Sequence, residues 1–199
     1  MERSLWLVSL THMFIEVYFL VQVALIPVFV REFRLSLFEA SLVATVPNIV
    51  ALLMNIPIGY LADRVSTNCI LAAAMIIESA SAFAISQANS FWLLVLCVTA
   101  MRISSPLYHI TGLSNISRAV TRERMSRSMG VHNALGSLGV ASGLVSLSVF
   151  QSTIGWRWIY VFWTVPVFAW GLIVLKSSQL KTTGTGRPDR GDVLGTLPL

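Results

Sequence analysis

The sequence predicts an all-α membrane protein, a bundle of six transmembrane helices with both chain termini on the cytoplasmic side. Three observations carry that expectation. Hydrophobic residues fill 55% of the 199 positions and charged residues only 12%, against roughly 25% charged in soluble domains, and the mean hydropathy is +0.75. Apolar runs cover residues 5–30, 37–61, 69–86, 91–113, 129–150 and 158–175, each close to or above the about 20 residues that cross a bilayer as a helix. Lys and Arg divide unequally between the short connections. With the amino terminus inside, ten fall on the cytoplasmic side and three outside, and short loops rich in these residues stay on the side of synthesis.

The first run follows Arg3 and contains His12 and Glu16. It exceeds the about 7 to 15 apolar residues of a signal-peptide core and lacks an A-x-A cleavage site, so it reads as a retained helix. His12 and Glu16 are spaced i, i+4, on one helix face and within hydrogen-bonding reach. An ionised group at mid-membrane costs about 2.5 to 3.5 kcal/mol on insertion scales. Two readings of the pair follow: a proton-titratable site on a transport pathway, or a structural polar pair that fastens two helices.

The second run carries Asn48, Asn55 and Gly59 on one face, with Pro47 and Pro57 expected to interrupt the helix. Such breaks occur where a span lines a cavity and equally as simple kinks; Asn48 is a candidate substrate contact. In the third run Glu78 lies among small residues such as Ala74, Ser79 and Ala82, which permit close helix packing. Its carboxyl is expected to be protonated or packed in a structural role, because burial disfavours the charge.

Arg102 and His109, in the fourth run, are seven residues apart and share a face, with Pro106 loosening the helix between them. Arg102 suits an anionic substrate, or a carboxylate partner such as Glu16. Arg118, Arg122, Arg124 and Arg127 then make a cytoplasmic loop. In the fifth run His132, Gly136, Gly139, Gly143 and Ser146 form one stripe. Its glycines, with G-x-x-x-G at Gly139 to Gly143, predict a close helix contact; His132 is either a ligand at the end of that groove or a satisfied interfacial histidine. After the sixth run, residues 176–199 are polar and rich in Gly and Thr, so the bundle is assigned to 1–175 and the remainder to a disordered cytoplasmic tail.

Other chemistries are not supported. The formal charge is +5, but the basic residues sit between apolar runs and not on a soluble face, which argues against a nucleic-acid partner. Cys69 and Cys97 lie in apolar runs without C-x-x-C spacing. No phosphate-binding loop, zinc-protease motif, nucleophile elbow or dinucleotide fingerprint occurs, so neither enzyme activity, nor a cofactor, nor a metal is expected.

Residues 59–64, G-Y-L-A-D-R, resemble the loop signature of the major facilitator superfamily, usually G-x-L-A-D-R-x-G-R-R, at the same place between the second and third spans. Ser66, Thr67 and Asn68 replace its usual Gly and basic pair. By that resemblance Gly59 would permit close packing, while Asp63 and Arg64 would form a conformational latch. His12 with Glu16, L-Y-H-I-T-G at 107–112, S-R at 117–118 and S-M-G-V-H-N-A-L-G at 128–136 resemble motifs of the fosmidomycin-resistance-type exporters. Ile110 stands where that branch has Pro, and Gly143 precedes Leu144 where antiporter helices often have Gly-Pro. G-W-R-W-I at 155–159 resembles a widespread start of the sixth helix.

The resemblance covers residues 5–175 and implies the amino-terminal six-helix half of a twelve-helix transporter, built from 3+3 inverted repeats. It implies a small-molecule substrate, organic or anionic, exported across the cytoplasmic membrane with proton coupling, and a partner for the missing half: a second copy or a separate chain. Glu16 and His12 are the candidates for proton coupling, with Arg102, His109, His132 and Asn48 for substrate and Gly59, Asp63 and Arg64 for gating. The alternative expectation is a truncated half-transporter without transport activity, acting at most as a membrane interaction subunit.

Overall fold

The computed structural model of the chain describes residues 3–177 and Leu180. Beyond Lys176, Ser177 and Leu180, the tail expected from the polar composition lies outside the described residues. Eight α-helices follow one another: α1 (Arg3–Glu16), α2 (Phe19–Phe33), α3 (Leu37–Ala62), α4 (Thr67–Ser86), α5 (Phe91–Arg102), α6 (Ser104–Ala119), α7 (Met125–Thr153) and α8 (Arg157–Lys176), with a 3-10 turn at Arg122–Arg124. They make six spans long and apolar enough to cross a membrane, because α1 with α2 and α5 with α6 each form one broken span. This is a multi-pass membrane protein.

Local chemistry sets the ends. Ser36 and Glu39 form a reciprocal capping box at the start of α3, the Ser36 hydroxyl accepting from the Glu39 N–H and the carboxylate accepting from the Ser36 N–H. Ser90 caps α5 by accepting from the Leu93 N–H. Gly155 turns the chain between α7 and α8 at φ +101°, a backbone conformation that side-chain-bearing residues rarely adopt. The expected arginine loop is mostly helical: Arg118 belongs to α6, Arg127 to α7, and Arg122 and Arg124 to the short turn. Helices long enough to project past the hydrocarbon carry these polar residues with them.

The breaks differ from those expected. α3 runs without interruption through Pro47 and Pro57. The helices break instead at Val17–Tyr18, directly after Glu16, and at Ile103, directly after Arg102. Pro106 supplies a reason for the second: it has no N–H, so the carbonyl of Arg102 four residues earlier lacks its helical donor. Arg102 and His109 therefore occupy different helices and not one continuous face.

Packing pairs the spans. The most extensive contacts join α4 to α8 and α1 to α7. Ala72 and Ser79 meet α8 at Gly171 and Thr164, and a Cβ at Gly171 would come to 2.8 Å from Met75 Cβ. Asn68 Nδ2 donates to the Leu175 carbonyl across the same seam. The opposite end of the bundle is stitched by Arg157, which pairs with Glu32 and donates to the carbonyls of Ser86 and Ala88; Trp156 Nε1 also donates to Glu32, at 2.6 Å. In contrast α3 exposes Leu52, Leu53 and Ile56, apolar surface suited to lipid or to another apolar partner.

Candidate functional site

Glu16 ends α1 at the first helix break, and two imidazoles converge on it. His12 Nε2 and His109 Nε2 each lie 3.4 Å from Glu16 Oε1. His12 reaches it along one helix face; His109 reaches it from α6. The His12 Nδ1 lies 3.2 Å from the His132 carbonyl oxygen. A carbonyl only accepts, so Nδ1 carries a hydrogen. The contact between Nε2 and Glu16 then needs one further proton, held either as imidazolium with carboxylate or as imidazole with carboxylic acid. The pair is a site for a single movable proton. The donor atoms of His12, Glu16 and His109 lie within 4.8 Å of one another, near enough to converge on one cation; a shared proton meets that geometry without another ligand.

One side of this cluster is sealed. His12 stacks on His132 with ring centroids 4.2 Å apart and on Tyr108 at 5.2 Å. His132 is buried at 1% exposure. The Ser9 hydroxyl faces its Nδ1 at 3.4 Å and the Tyr108 hydroxyl its Nε2 at 3.5 Å, while Tyr108 donates to the Val8 carbonyl. Both His132 nitrogens thus face protein groups on the packed side of the cluster. Gly136 explains how the rings fit: a Cβ there would overlap the His12 ring. At Gly139 and Gly143 a Cβ would overlap the carbonyl oxygens of Met13 and Val17, so the stripe lies directly on the backbone of the first span.

The other side is open. The His109 side chain is 38% exposed. Arg102 Nε donates to Asn48 Oδ1 at 3.1 Å, and its guanidinium lies 4.9 Å from the centre of the Phe19 ring. Among the described residues no carboxylate lies within ion-pairing distance of Arg102. The expected Arg102–Glu16 pair is thus absent, since Glu16 is taken by the two histidines. Both residues nevertheless line one small cavity of about 20 Å³, together with Tyr18, Gln22, Glu78 and Ser104. Asn48, on α3, is exposed and also donates to the Ala44 carbonyl, which leaves its oxygen to orient Arg102.

The motif at the end of α3 stands apart from this cluster. Arg64 is exposed, donates to the Tyr60 carbonyl and covers the Tyr60 ring; Asp63 is exposed with no ion pair among the described residues. A Cβ at Gly59 would meet nothing within 4 Å among the described residues. Reading the sequence missed Ser9, Tyr108, Gln22 and the helix break at Tyr18. Ser9 lies one helical turn before His12, and Tyr108 adjoins His109, but only the contact of the first span with the fourth and fifth makes them part of the site.

Comparison with known proteins places this architecture. The family model of the Major Facilitator Superfamily matches residues 5–193. Among relatives, the MFS antiporter QDR2 of Candida albicans is 28% identical over 69% of this chain and 28% of its own length. The probable nitrate transporter NarT of Staphylococcus carnosus is 23% identical over 67% of the chain and 34% of its length. The nitrite extrusion protein of Bacillus subtilis is 27% identical over 63% and 31%. The chain thus spans about a third of the length of the curated relatives it matches. A crystal structure of a bacterial homologue of the human lysosomal transporter Spinster, inward-facing and occupied, superposes with a TM-score of 0.75 over 94% of this chain and 46% of that one, at 22% identity. That likeness concerns the fold. By the family match over residues 5–193, the chain belongs to the major facilitator superfamily of membrane transporters, which are not enzymes.

Proposed function

We propose that this chain is a half-size secondary transporter unit of the cytoplasmic membrane, with both termini inside, that exports a small organic or anionic compound with proton coupling. The observation that carries the reading is the arrangement at Glu16: one movable proton shared with His12, a second imidazole on the same oxygen, and an adjoining cavity whose arginine has no carboxylate partner among the described residues. A permanent cation next to a proton site suits an anion. Nitrate and nitrite in the names of two relatives agree with that charge. Export and the fosmidomycin-resistance-type branch rest on the motifs around His109 and His132.

In this reading Glu16 and His12 carry the proton, and Arg102, held by Asn48, together with His109 meets the substrate. Asp63 and Arg64 take part in gating against a second six-helix unit, supplied by another copy or a separate chain. The absence of an ion pair to Asp63 or Arg64 among the described residues, and the open space at Gly59, support that arrangement. The test is reconstitution of the chain into liposomes with nitrate as the probe anion. Nitrate flux that responds to an imposed pH gradient is expected. Flux no greater than in empty liposomes, from protein that remains folded, would favour a half-transporter acting only as an interaction subunit.

A further inference from the structure

Glu78 plays no part in the site as described, yet it lines the same cavity as Glu16 and Arg102. It is buried at 2% exposure on α4, and among the described residues no cation lies within 4.0 Å of it. Its Oε2 lies 3.1 Å from the Ser104 hydroxyl, while that hydroxyl lies 2.6 Å from the Met101 carbonyl oxygen. Ser104 has one hydrogen to give. The hydroxyl donates to the nearer Met101 carbonyl and toward Glu78 Oε2, and both contacts are fully met at once when the Glu78 carboxyl carries a proton of its own and donates to the serine oxygen.

A neutral carboxyl could serve packing alone, but three features argue for more. Although buried, it borders the cavity that Arg102 also lines. Its partner Ser104 is the first residue of α6, immediately after the break at Ile103, where movement of the helix ends would separate the two groups. An unpaired cation, Arg102, lines the same space and can receive the carboxylate once the proton has left. The other titratable groups facing this cavity are Glu16 from α1 and Tyr18 at the first break, with Tyr160 of α8 stacked on Tyr18 behind it.

We propose that Glu78 is a second proton-binding site of the transport path, separate from the Glu16–His12 pair. The O–H bond of its carboxyl breaks when the cavity admits water, the proton passes to that water, and the carboxylate turns to Arg102. The return step reverses this when the cavity closes. The inference rests on the cavity being the transport path.

The test is infrared difference spectroscopy of the chain in lipid, following the carbonyl stretch of a protonated carboxylic acid as pH is raised. The expected result is a band at neutral pH that is absent in Glu78→Gln, shifts in Ser104→Ala and bleaches reversibly at alkaline pH. A band assigned to Glu78 that persists wherever the protein stays folded, or no such band, would overturn the proposal. A bleaching band in a chain whose nitrate flux ignores Glu16→Gln would leave Glu78 standing and remove the role of Glu16. A persistent band with flux abolished by Glu16→Gln would do the reverse.

Discussion

The two sides of the polar cluster around Glu16 are built from similar residues and serve opposite ends. On the sealed side His132, Ser9 and Tyr108 satisfy one another while the glycines of α7 bring its backbone onto the first span. On the open side His109 is partly exposed, and Arg102, held by Asn48, lines a cavity with its charge unneutralised by any described carboxylate. A histidine in a span is therefore not functional by type. What distinguishes His109 from His132 is a free face, and that follows from the neighbouring spans and not from the residue.

The comparison can be broken most severely at Gly139. Gly139→Leu drives a side chain into the Met13 carbonyl, a backbone atom that no rotamer change can clear. Overpacking of this kind costs typically about 1 to 3 kcal/mol, and more where backbone must move. Loss of the monodisperse folded protein on size exclusion in detergent is expected, whereas Gly59→Ala, with nothing within 4 Å, should elute unchanged.

The next largest effect belongs to the open side. Arg102→Ala removes the cavity's cation, and charged hydrogen bonds are worth about 1.5 to 3 kcal/mol. At about 1.4 kcal/mol per tenfold, nitrate affinity measured by flux competition should fall roughly 10- to 100-fold, with little change in melting temperature. On the sealed side His132→Ala should do the opposite. It strands Ser9 and Tyr108 groups and opens a void, at a cost of about 1 to 3 kcal/mol, read as a lower melting temperature with the pH response of flux retained. His109→Gln should be the mildest for stability, since its ring is 38% exposed; the expected change is a shifted pH profile of flux.

Much of the bundle was legible from composition, because lipid demands long uninterrupted apolar runs. The helix breaks were only partly so. Prolines at 47 and 57 looked disruptive, yet each removes only one donor, and α3 continues through both. The break after Arg102 follows the loosening expected from Pro106, whereas the break after Glu16 has no proline or glycine to announce it. The site was half legible for the same reason. His12 and Glu16 meet through the period of one helix, which a sequence displays; His109 meets Glu16 across two spans and displaces the pairing with Arg102 that charge alone suggested. The glycine stripe was visible as a pattern, but its partner, the backbone from Met13 to Val17, was not.

The most direct measurement compares the chain with its Glu16→Gln variant in liposomes, following nitrate flux with and without an imposed pH gradient. A Gln keeps the shape and can hydrogen-bond to both histidines through its amide, but it cannot exchange the proton. Flux that persists at equal pH on both sides but no longer responds to the gradient is the predicted result. A variant whose gradient-dependent flux matches that of the parent chain would contradict the assignment of proton coupling to Glu16.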